Sequence, residues 1–112
     1  MEQAVAIKKF IRVPPRKARL AADLVRGRFV EDALAQLSFC NMKGGYYLKK
    51  TIQSAVANAE MKFDVKRDLL RVVEVRVDEG PRLKRIRPAP MGRAYRYQRR
   101  TAHITIELGE KQ

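Results

Sequence analysis

Val73, Val75 and Val77 alternate with Glu74, Arg76 and Asp78, and further on Ile104, Ile106 and Leu108 alternate with His103, Thr105 and Glu107. A period of two puts the apolar members on one side of an extended chain, so both runs predict half-buried strands. Val5 to Val13 mixes β-branched residues with Lys8, Lys9 and Arg12, which predicts a first strand with one wet face. Elsewhere the period lengthens. After Pro14 and Pro15, Leu20, Ala21, Leu24 and Val25 recur at helical spacing until Gly27, predicting a helix from about Arg16 to Arg26. Val30, Ala33, Leu34 and Leu37 share the face of a short second helix, with Glu31 and Asp32 at its positive end. Asn41 is placed to cap a third helix reaching about Lys62, with a stripe of Leu48, Ile52, Ala55, Val56 and Ala59; Gly44 and Gly45 weaken its first turns.

Between the last two strands lies GPRLKRIRPAPMGRAYRYQRR, residues 80–100, with eight Arg or Lys and no acid. Unpaired charges of this kind cost several kcal/mol or more to take out of water, so the segment needs water or an anion around it. Pro88, Pro90 and Gly92 mark a reversal near its middle, predicting one long antiparallel hairpin, residues 80–102, centred near Pro90 to Gly92. About ten residues at strand rise span roughly 30 Å, more than the radius of so small a domain, so the hairpin must project. An isolated ribbon is marginal in water, and the arm is expected to be loose when free and ordered by a partner that pairs its charges.

Composition sharpens the nature of that partner. The 112 residues suit a single domain, residues 1–112, and 46% hydrophobic content argues for a folded chain under a net charge of +13. Polyanions are the expected partners. No apolar run approaches the roughly 20 residues of a membrane span, and the N-terminus lacks the pattern of a secretory signal, so the expected location is cytoplasmic. Cys40 alone forms no intramolecular disulfide framework, and with His103 the sole histidine no metal site is expected; Cys40 reads as a small, partly buried hydrophobe.

Two further basic clusters are Lys8, Lys9, Arg12, Arg16, Lys17 and Arg19 near the start, and Lys43, Lys49 and Lys50 on the third helix; all of these but Lys43 are candidate RNA contacts. If the first strand joins the sheet beside a hairpin strand, the N-terminal cluster lies near the arm's base. Tyr95 and Tyr97 either stack on bases or pack across the ribbon. His103 precedes a core strand with no nucleophile or carboxylate constellation, which favours a structural role; Asp78 and Glu79 read as charge partners of Arg76 and Arg82. No phosphate-cradling glycine motif is present, no cofactor is expected, and the chain is read as not an enzyme. A helix-turn-helix DNA-binding regulator and an RNA-modifying enzyme are the alternatives; the long basic hairpin opposes the first and the missing acid-base pair the second.

PRKARLAADLVRGR, SAVANAE, VDEGPRLKRIRP, MGRA and RRTAHITIEL, in that order, closely resemble the L-twenty-two family of the bacterial large ribosomal subunit over nearly the whole chain. The resemblance implies an α+β fold, three helices packed on a three-stranded antiparallel sheet with a long protruding β-hairpin. It also implies binding to large-subunit ribosomal RNA, a part in subunit assembly beside neighbouring ribosomal proteins, and a hairpin lining the nascent-peptide exit tunnel. By position, Arg82, Lys84, Arg85 and Arg87 form the outgoing RNA-contacting arm, Pro88, Ala89, Pro90, Met91, Gly92 and Arg93 the tunnel-facing tip, and Arg96, Arg99 and Arg100 the return. The tip PAPMGR carries fewer cations before its glycine than the family pattern, which suits contact with bases or the nascent peptide. No homo-oligomer, membrane or metal is expected.

Overall fold

The computed structural model describes residues 4–63, 69–88, 90–92 and 94–110, the side chains at 63, 85, 87, 88, 90, 94–97 and 110 excepted. In chain order the elements are β1 (Ala4–Ile11), α1 (Pro15–Asp23), α2 (Val30–Ser38), α3 (Lys43–Phe63), β2 (Leu70–Glu79), β3 (Leu83–Pro88), β4 (Ala94–Arg99) and β5 (Ala102–Glu110). β1, β5 and β2 form an antiparallel sheet in that order, with β5 central, and β3 and β4 form a second sheet of two strands. The expected α+β architecture is therefore present.

The core lies between the sheet and the helices. Ile104, Ile106 and Leu108 of β5 are fully buried, as are Leu48, Ile52 and Ala55 of α3. α3 is the hub, packing on β1, β5, α1 and α2. Its expected stripe is buried throughout, and so is the predicted face of α2.

Gly44 explains why a helix so central begins with two glycines. A β-carbon there would stand 3.2 Å from the Ala18 backbone, so the missing side chain lets α1 approach α3 closely. Gly44→Val overfills this contact and is expected to cost about 1–3 kcal/mol, read as a lower thermal midpoint. The same close approach decides which face of α1 is buried. Ala18, Ala21, Ala22 and Val25 point inward, whereas Leu20 and Leu24, expected in the core, are exposed.

α1 also stops earlier than its periodicity suggests, at Asp23 rather than Arg26. Leu24 and Val25 N–H groups donate to the carbonyls three residues back, and the chain then turns to reach β2. Gly27 N–H donates to Val72 O at 3.0 Å and Val72 N–H to Arg28 O at 2.8 Å. These bonds compete with a further helical turn. Arg19 donates through Nε and Nη2 to Val77 O, at 3.2 and 3.1 Å, and Arg26 Nη2 donates to Val75 O at 2.9 Å. An edge strand presents unpaired carbonyls that invite pairing with another chain; here α1 and the turn after it occupy them.

Two bulges set the sheet's facing. β2 pairs Val72 with Leu108 but Glu74 with Glu107, leaving Val73 as an extra residue. The strict alternation expected of Val73, Val75 and Val77 breaks there: Leu70, Val72, Val75 and Val77 are buried and Val73 is 38% exposed. In β1 the register shifts between Lys8 and Ile11, and Phe10 takes φ 59°. His103 Nδ1 accepts the Phe10 N–H at 3.0 Å, with the two rings edge to face at 4.9 Å. The structural role expected of His103 is thereby given an atom. His103→Ala removes that acceptor from an exposed N–H, and about 0.5–1.5 kcal/mol of stability should be lost, with partial recovery in His103→Asn, by denaturant titration.

Finally, α3 starts at Lys43, and Met42 O accepts from Gly45 N–H, so the cap position falls on Met42 rather than Asn41. Cys40 is half-buried, as expected.

Candidate nucleic-acid interface

β2 and β5 leave the body side by side, and their continuation is the cationic ribbon. Pairing ends at Glu79 with Ala102 and resumes at Leu83 with Arg99, so three residues on the outgoing side face two on the return. The single unbroken hairpin expected from the sequence is thus two ladders joined by a neck. Pro81 has no N–H to continue the ladder. Instead Gly80 N–H donates to Thr101 O at 2.9 Å, and the Thr101 hydroxyl donates to Pro81 O at 2.5 Å. A β-carbon on Gly80 would lie 2.6 Å from that hydroxyl oxygen, so the neck closes only around glycine.

Of the acids expected to hold charges at the arm's base, Glu79 does so. Arg82 pairs with Glu79 at 3.0 Å and donates to Gln98 Oε1 at 3.2 Å, tying β3 to β4 just beyond the neck. Arg76, expected beside Asp78, turns instead to Glu74 and Glu107, at 3.5 and 3.6 Å. The bulge at Val73 is the cause, since it brings Glu74 opposite Glu107.

Beyond the neck the register runs from Leu83 opposite Arg99 to Pro88 opposite Ala94, closed by a turn at Pro90–Gly92. Met91, at φ 64°, is 97% exposed. The long axis of the molecule measures 63 Å and the radius of gyration is 17.0 Å, against about 13 Å for a compact chain of some 100 residues. Lys84, Ile86, Arg99 and Arg100 are exposed. The side chains of Arg85, Arg87, Pro88, Pro90, Arg96, Tyr95 and Tyr97, and all of Ala89 and Arg93, lie outside the described residues.

The end of the N-terminal basic cluster lies near the neck, as the sequence suggested, because antiparallel pairing places Ile11 opposite Ala102. Lys8, Lys9, Arg12, Arg16 and Lys17 are exposed, and Lys49 is half-buried. Two clefts bring some of the cations together. One, of about 500 Å³, brings Arg12 and Lys17 together with Arg99 of the ribbon and with Lys43, over Leu20 and Met42. The other, of about 340 Å³, lies between β1 and α3, where Lys8 and Lys50 flank Tyr46 and Tyr47. Lys50 Nζ sits 5.1 Å from the centre of the Tyr46 ring, itself edge to face with Tyr47. Sequence reading singled out neither Tyr46 nor the apolar floor of Leu20 and Met42. The spacing of Tyr46 four residues before Lys50 was the available signal.

The model of the family described as ribosomal protein L22p/L17e matches residues 6–109. Among curated proteins, the large ribosomal subunit protein uL22 of Protochlamydia amoebophila is 56% identical over 106 residues, 95% of this chain and 96% of that one. The protein of the same description from Desulfitobacterium hafniense is 50% identical over 111 residues, with 99% and 97% coverage. That of Thermus thermophilus is 46% identical over 109 residues, with 97% and 96% coverage.

Proposed function

Given that the chain belongs to the ribosomal protein L22p/L17e family, and is a structural, non-enzymatic constituent of the large ribosomal subunit, we propose that it works as a two-part RNA clamp. The body seats on large-subunit ribosomal RNA and the ribbon threads into it. Lys8, Lys9, Arg12, Arg16, Lys17, Arg19, Lys49 and Lys50 serve the first contact, with Arg19 also holding Val77 O. Arg82, Lys84, Arg85, Arg87, Arg93, Arg96, Arg99 and Arg100 serve the second. The tip, Pro88 to Arg93, lines the exit tunnel and meets the nascent peptide. Residues 1–112 act as one domain and one copy, in the cytoplasm, beside neighbouring ribosomal proteins.

The observation that carries this reading is the separate two-stranded sheet of the ribbon, cationic and joined to the body by a glycine-threonine neck. Such a ribbon gains order from phosphates on both sides, and its binding follows counterion release. A photoreactive group at Met91 in reconstituted, translating ribosomes tests the tip: adducts to a nascent chain are expected, and adducts to surface proteins alone would remove the tunnel assignment.

A further inference from the structure

The cleft between the ribbon's base and α1 has a composition that phosphate contact alone does not explain. Arg12, Lys17, Lys43 and Arg99 line it, no acid does among the described residues, and its floor is apolar. Leu20 on that floor is 55% exposed, a large aliphatic side chain held out of the core by the close approach of α1 to α3, and Met42 beside it is 36% exposed. Water-facing aliphatics ringed by cations suit a ligand that is flat and apolar on its face and anionic at its edge. A nucleotide turned out of its stack has that chemistry, since its base offers a π-face and its two flanking phosphates the charge. The cleft volume of about 500 Å³ falls within the roughly 300–1,000 Å³ of sites that enclose small molecules.

We propose that this cleft receives one unpaired nucleotide of the ribosomal RNA, its base over Leu20 and Met42 and its phosphates on Arg12, Lys17, Lys43 and Arg99. The inference rests on the RNA-clamp reading and specifies its geometry. Arg99 belongs to β4, so the RNA that follows the ribbon reaches the cleft without leaving the surface. An acidic protein segment would satisfy the cations but has no use for the open apolar floor. Seating a base there also ties ribbon to body across the neck, fixing the angle at which the arm enters the RNA.

The experiment uses the full chain and purified large-subunit ribosomal RNA. Leu20→Asn should lower affinity about tenfold while leaving the salt slope unchanged, because an apolar contact releases no counterion. Lys43→Gln should lower affinity and reduce the slope by about 0.7, the value for one single-strand phosphate. A photoreactive leucine at position 20 should give adducts concentrated on one nucleotide that is unpaired by chemical probing; this readout does not depend on how a polar substitution affects folding. Wild-type affinity for Leu20→Asn, with adducts spread over paired nucleotides or found on protein when the same photoreactive chain is assembled into subunits, would overturn the pocket while leaving RNA binding intact. A wild-type chain that bound no RNA would bring down the clamp reading and the pocket together.

Discussion

Replacing residues 81–100 by Asn-Gly should leave the body folded and remove about half of the salt dependence of RNA binding. The neck makes the surgery feasible. Gly80 and Thr101 already face each other through a 2.9 Å bond, and a two-residue Asn-Gly turn is the connection that twisted antiparallel strands prefer. The deletion removes eight cations from the +13 chain and no acid. If each meets one phosphate, the logarithmic salt slope should fall by about 5 to 6; this equals roughly a thousandfold in affinity between 50 and 200 mM salt. Circular dichroism and thermal unfolding of the shortened chain should match a folded α+β domain, because the core of β5, α3 and α1 contains none of the described ribbon side chains. Loss of helical signal would show that arm and body fold as one unit.

Ile106→Ala should have the largest effect on stability. Ile106 is fully buried in the central strand, paired with Ala6 on one side and Val75 on the other, over α3. Ala6 is too small to fill a space left beside it. The expected cost is about 2–5 kcal/mol, and total stability for a domain is only about 5–15 kcal/mol. Urea denaturation should show a much lower midpoint with a similar slope, and assembly into subunits should become temperature-sensitive. A loss below about 1 kcal/mol would mean that the sheet relaxes around the gap, against the packing described.

Much of this molecule was legible in the sequence because its elements obey their periods. The stripe of α3, the face of α2 and the alternation of β5 each follow from side-chain geometry along one element, which the chain alone specifies. The misreadings share a different cause. Val73 faces out because a bulge inserts one residue against β5; Leu20 and Leu24 face out because Gly44 lets Ala18 approach; α1 ends at Asp23 because Gly27 and Arg28 bond to Val72. Each depends on a partner strand or helix distant in sequence, so no local pattern records it. The same holds for the interface. Charge marked Arg12, Lys17 and Arg99 individually, but their meeting over Leu20 and Met42 arises only when β1 pairs with β5 and α1 crosses the start of α3.

The tendency of a ribbon without a third strand to depend on its surroundings is the centre of the account, and amide hydrogen exchange tests it most directly. Amides of residues 83–87 and 94–99 should exchange within seconds in the free chain, while 104–108 of β5 remain protected, and the ribbon should become protected when the chain is bound to large-subunit ribosomal RNA. Ribbon amides as protected as β5 in the free chain, and unchanged by RNA, would contradict it.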